Sequence, residues 1–202
     1  MKRILLCLFL LSGLNLSAQI ELIDYDQLDT AKVFTSIEAA LQSPFPVYRL
    51  DLSRQRLKSF PEEITQLTYL NELILDRNKL DSIPASIAKL KNLQILRADH
   101  NNIDPFPEGV LACKSLVILS LGDNFISKIP DDIYQLKKLQ ELLLWSNVVS
   151  YFPQSLSRLQ YLVKLDLLNN DMNASEQETL RFLLPEVEII LSAPCVCTFD
   201  DE

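Results

Sequence analysis

The one histidine in the chain, His100, stands among charges: Asp99 precedes it, and Asp76 and Arg77 lie 23 residues before that pair. Histidine beside carboxylates is the raw material of general acid–base chemistry, because its proton exchanges near neutral pH. Hydrolysis would also need a nucleophile within hydrogen-bond reach, and the spacing puts no serine or cysteine beside His100. Asp76, Asp99 and Asp123 offer carboxylates for a cation, yet they do not share one column of the repeat, and surface carboxylates commonly meet water alone. Cys195-x-Cys197 supplies two thiolates with no histidine nearby, short of the four ligands zinc takes. Gly13, Gly109 and Gly122 are the only glycines, and none lies in a phosphate-cradling loop. The residue types therefore predict no catalytic group, no metal and no cofactor.

What positions these residues is a repeat. The stretch from Leu70 to Leu80, L-N-E-L-I-L-D-R-N-K-L, recurs every 23 residues. One column holds Leu50, Leu73, Leu96, Leu119, Leu142 and Leu165; a second holds Pro61, Pro84, Pro107, Pro130 and Pro153; a third holds Asn78, Asn101, Asn124, Asn147 and Asn170. Such a period signals a solenoid, since each unit has an apolar side that only a stacked neighbour can bury. The alternation x-L-x-L predicts a short strand with leucines inward and the intervening residues outward. The P-x-x-I-x-x-L segment, with spacing of three, predicts a 3₁₀ or short helical return that proline can start.

The pattern L-x-x-L-x-L-x-x-N-x-L-x-x-x-P-x-x-I-x-x-L closely resembles the leucine-rich repeat family in its 23-residue form, as found in small secreted bacterial members. The resemblance covers about residues 47 to 191. It implies an α/β solenoid: a right-handed curved stack with a concave parallel β-sheet, a convex side of 3₁₀ or short helices, and caps at both ends. It also implies that the column asparagines form an inward ladder bonded to the backbone of neighbouring turns. Gln55 departs from that column, and Ala98 replaces an inward leucine, which marks a small gap or a closer approach. Phe60, Ile83, Phe106, Ile129 and Phe152 alternate large and smaller side chains from turn to turn, as interdigitated packing requires.

The boundaries follow. Residues 1–19, with Lys2 and Arg3 before an apolar run of about 13 residues, read as a signal peptide cleaved near Ala18, since a membrane span needs about 20. Residues 20–46 hold an acidic connecting segment to residue 34 and a capping helix started by a Thr35–Glu38 capping box and ended by Pro44 and Pro46. The repeats run 47–69, 70–92, 93–115, 116–138, 139–161 and 162–183, with a closing helix around Leu180, a terminal strand within 184–191 and a tail over 192–202. Asn173-Ala174-Ser175 is a chance glycosylation triplet. Signal cleavage leaves 17 basic and 27 acidic residues, a net charge of −10, which disfavours nucleic acid and anionic membranes. The expected place is secreted or periplasmic. Cys113 takes the place of Leu67, Leu90, Leu136 and Leu159 in its column and reads as a buried apolar stand-in. For Cys195 and Cys197, a terminal bridge or intermolecular pairing stays open.

If leucines face inward, the residues between them line the concave sheet. Ile95, Ile118, Leu143, Trp145 and Leu168 then cluster on its middle and C-terminal part as an exposed apolar patch. Arg54, Arg77, Arg97, Asp76, Asp99, His100 and Asp123 surround it as a charged rim. A tryptophan in an apolar patch rimmed by charge is the anatomy of a protein interface. The expectation is a non-catalytic binding module for a protein partner. The alternatives are a self-associating envelope protein, forming a homo-oligomer through the same strip, or an inhibitor of a secreted enzyme.

Overall fold

A computed structural model describes residues 28–194. The expected signal peptide, most of the acidic segment, and Cys195 and Cys197 lie outside the described residues. Eight strands form one open parallel sheet in chain order. They are β1 (Val33–Phe34), β2 (Arg49–Asp51), β3 (Glu72–Ile74), β4 (Ile95–Arg97), β5 (Ile118–Ser120), β6 (Glu141–Leu143), β7 (Lys164–Leu167) and β8 (Glu188–Leu191). Each strand is short because its two neighbours, not its own length, satisfy the backbone. Leu50 pairs with Leu73, and the match passes on through Leu96, Leu119, Leu142 and Leu165. One aliphatic ladder thus runs the length of the solenoid, buried behind the sheet.

The return segments are 3₁₀ helices, Glu62–Gln66, Ala85–Lys89, Glu108–Ala112, Asp131–Gln135 and Gln154–Arg158, each preceded by a column proline. The proline lacks an amide but its carbonyl accepts the first bond, as from Ile64 N at 3.1 Å and Ile87 N at 3.1 Å. Phe60, Ile83, Phe106 and Ile129 are buried in the core; Phe152, near the C-terminal end, is half-buried. Ala98 is fully buried. So is Cys113, whose thiol donates to Ile87 O at 3.5 Å and is pushed up to about 11 by burial.

The asparagine ladder has a fixed wiring. Asn124 Nδ2 donates to Ala98 O and Leu121 O, both at 3.0 Å, while its Oδ1 accepts from Ile103 N at 3.0 Å. Asn78, Asn101, Asn147 and Asn170 repeat the donation to the preceding turn at 2.9 to 3.1 Å. Each buried amide therefore closes one turn and fastens it to the one before.

Both ends differ from the sequence expectation in detail. The segment before residue 35 is not merely connecting: Leu28 is buried and β1 pairs with β2, Phe34 opposite Leu50. Here the spacing is 16 residues, so the 23-residue period does not reveal it. Helix α1 (Ile37–Leu41) is capped by Ser36, whose hydroxyl accepts from Ala39 N, and not by a Thr35–Glu38 box. The reciprocal box stands at the other end instead. Asn173 Oδ1 accepts from Glu176 N at 3.0 Å and Asn173 N donates to Glu176 Oε2 at 2.8 Å, starting helix α2 (Ala174–Leu183). Within α2, Leu180 is buried and Phe182 faces solvent, and β8 follows with Ile189 opposite Leu165.

Candidate functional site

The outward positions of β2–β7 and the residues just after them form the concave face. Trp145 lies two residues past β6, in the same column as Gly122 one turn earlier. A Cβ placed on Gly122 would fall 2.1 Å from Trp145 Cε2 and 2.3 Å from Nε1. The indole therefore rests on the bare backbone of Gly122, a seat that no other residue type provides. The edge of His100 meets the same ring, centroids 5.2 Å apart and planes at 72°. His100 Nδ1 in turn sits 2.5 Å from Asp123 Oδ2. Trp145 is half-buried and held on two sides, with half-buried Leu143 before it in the chain and exposed Leu168 one turn beyond.

A second cluster lies on the N-terminal side. Ser120 Oγ stands 2.7 and 2.9 Å from the two oxygens of Asp99, and Gly122 N donates to Asp99 Oδ1 at 2.7 Å. Arg97 reaches Asp99 at 3.4 Å and Asp76 at 3.3 Å, while Asp76 Oδ1 accepts from Asp99 N at 2.9 Å. Burial raises the Asp76 carboxyl above its ordinary range, with the Asp99 amide and Arg97 opposing and the Asp99 charge reinforcing that rise. Further along the sheet, Arg49 pairs with Glu72 and donates to Leu28 O at 3.3 Å and Asp29 O at 3.1 Å, tying the N-terminal cap to the face.

Two expected contact residues are corrected. Ile95 is only 7% exposed, because Glu72 and Ile118 flank it in register on a face that curves inward. Asp99 is only 4% exposed, since the small Ser120 and Gly122 let their hydroxyl and amide close on its carboxylate. It is a structural brace between the loop leaving β4 and the end of β5, not a rim charge. Ile118 is half-buried, Arg97 and Asp123 are exposed, and Arg54 and Arg77 are exposed at the outer edge, apart from the tryptophan cluster. Gly122 and Ser120 were missed. A signal existed for the first: Gly122 is the lone glycine in the tryptophan's own column, one period earlier.

The arrangement bears on chemistry too. Ser146 stands one rung past Asp123 and accepts from Asn169 Nδ2 at 3.2 Å. The carboxylate thus lies between imidazole and hydroxyl, whereas a hydrolytic triad needs the imidazole in the middle. Among the described residues no group of three or more metal-ligating side chains comes together.

This column also has a backbone signature. Arg54, Arg77, His100, Asp123, Ser146 and Asn169 all adopt φ between 50° and 59°. Each bends the chain out of its strand, and Arg54, Arg77, His100, Asp123 and Ser146 donate their amides to the next turn, as His100 N does to Gly122 O at 2.9 Å.

The comparisons agree with this geometry. A leucine rich repeat family model matches residues 46–103. Curated protein sequences give no match. Among solved structures, the chain is similar to a leucine-rich repeat protein of Leptospira interrogans at 34% identity and a TM-score of 0.62, over 71% of this chain and 35% of that one. It is similar to the plant peptide hormone receptor RGFR1, solved in complex with RGF2, at 26% identity and a TM-score of 0.57, over 79% of this chain and 26% of that one. Internalin C2 of Listeria monocytogenes shares the fold at 23% identity and a TM-score of 0.61, over 75% of this chain and 64% of that one. The chain spans about a third or less of the first two structures. Repeat, ladder and relatives converge: the chain belongs to the leucine-rich repeat family.

Proposed function

We propose that this chain is a non-catalytic protein-binding module that captures a protein partner on its concave sheet around Trp145. The observation that carries the reading is the seating of the indole on Gly122 and against His100. An aromatic side chain already immobilised before docking loses little entropy on contact, which is what makes tryptophan an interface anchor. Leu143 and Leu168 extend the apolar ground, and Asp123 and Arg97 stand at its margin. Six strands at about 4.8 Å give a face about 25 Å across, enough for about 800 Å² per partner. The similar peptide hormone receptor structure, solved in complex with RGF2, supports use of this fold for polypeptide ligands.

We also propose export. It rests on residues 1–19, outside the described residues; no helix among the described residues is long and apolar enough to cross a membrane. N-terminal sequencing of the mature protein is expected to begin near residue 19, and an intact Met1 would overturn it. For the binding face, Trp145→Ala is expected to keep the circular dichroism of the wild type while weakening partner capture at least about tenfold. Undiminished capture by the folded variant would overturn the reading. Sedimentation of the purified chain is expected to give a monomer at all concentrations; a mass that rises with concentration would favour a second copy as occupant.

A further inference from the structure

Outside the concave sheet, the edge formed by the loops leaving the strands carries a gradient. One column along it reads Arg56, Lys79, Asn102, Phe125, Val148 and Asp171. Arg54 and Arg77 stand beside its first two members. All four cations are exposed, and none pairs with a carboxylate among the described residues. Two acids close in sequence are engaged toward the concave side: Asp51 Oδ1 accepts from Ser53 N at 2.8 Å, and Asp76 holds Arg97 and the Asp99 amide. Lys58 and Asp81, one period apart and both exposed, add one charge of each sign further along these loops. Four unpaired cations on two adjacent turns are conspicuous in a chain of net charge −8. Two turns on, Phe125 is 56% and Val148 51% exposed.

We propose that this edge is a second docking surface, for an extended polypeptide segment that is acidic along one half and apolar along the other. Its carboxylates meet the quartet of Arg54, Arg56, Arg77 and Lys79, where arginine forks give paired charge-assisted bonds. Its apolar half continues onto Phe125 and Val148. From Arg56 to Val148 is four turns, about 19 Å at about 4.8 Å each, or about six residues of extended chain. A uniform polyanion does not fit, because past the second turn the two columns that carry the cations hold Asp123 and Asp171 instead. The exposed phenylalanine and valine have a use only for a ligand that carries apolar groups.

The test uses the full mature chain and a fluorescein-labelled twelve-residue peptide with glutamates in one half and leucine and phenylalanine in the other. Anisotropy is expected to show salt-sensitive binding, weakened about tenfold or more by the pair Arg56→Asp and Lys79→Glu. Phe125→Ser is expected to weaken it severalfold while keeping the salt dependence. Should the first pair fail to fold, Arg54→Gln with Arg77→Asn replaces it. Unchanged affinity in a folded charge variant would overturn the proposal. So would heparin binding tighter than the peptide at the same residues, which would make the edge a glycan surface. Trp145→Ala is expected to leave peptide affinity unchanged; loss there would place the peptide on the concave sheet and overturn the second surface while supporting the first.

Discussion

At the scale of single residues, the concave face works through differences in size. Gly122 is the clearest case, since any side chain there must displace the indole that covers it. Gly122→Ala is expected to shift the Trp145 emission to the red and to weaken partner capture about as much as Trp145→Ala, with a melting temperature only a few degrees lower. Emission identical to wild type would mean that the indole has another seat. Trp145 is the only tryptophan, so the signal is unambiguous. The columns made these residues legible as outward positions, and Trp145, Leu143, Leu168, Arg97 and Asp123 do face outward. Which outward residues are also accessible was not legible. Ile95 and Asp99 are outward and buried, because accessibility on a curved face depends on the volumes of neighbours on adjoining strands, which one column read alone does not contain.

At the scale of elements, turns are fastened by the asparagines more than by strand length. Each strand of the repeat body is three or four residues long, too short to hold a register alone. Asn124→Ala would leave the amide of Ile103 without its partner in the core, while the carbonyls of Ala98 and Leu121 keep one donor each, from Asn101 and Asn147. Its expected cost is about 1 to 3 kcal/mol, read from the denaturant midpoint at unchanged slope. A loss under about 0.5 kcal/mol would mean that water substitutes for the amide. The period exposed the ladder, the prolines and the strands, because they recur. The caps occur once each, and there sequence reasoning did less well. Thr35, Ser36 and Glu38 admit two capping schemes, and hydroxyl geometry chooses Ser36; Asn173 reads only as part of a chance triplet until its bond to Glu176 is seen.

For the whole molecule, contacts join each turn to the next and hardly beyond, so the ends hold less tightly than the middle. Strand β1 has two residues, and Val33 is exposed. Hydrogen exchange is expected to be fastest in β1 and α1 and at least tenfold slower in β4 and β5, a gradient that nuclear magnetic resonance or mass spectrometry reads directly. Uniform protection would mean a single all-or-none unit. Solenoid architecture was legible from the repeat, while the length of its sheet was not: β1 lies 16 residues from its partner position and so falls outside the 23-residue rhythm. From β2 to β7 that rhythm never slips, and the strand pairs and the amide ladder keep the same count. Growth of this molecule is therefore quantised. Inserting one amino acid within a strand–loop unit throws the leucines and the asparagines out of step together, whereas duplicating one complete unit lengthens the rod by about 4.8 Å and leaves every joint unchanged.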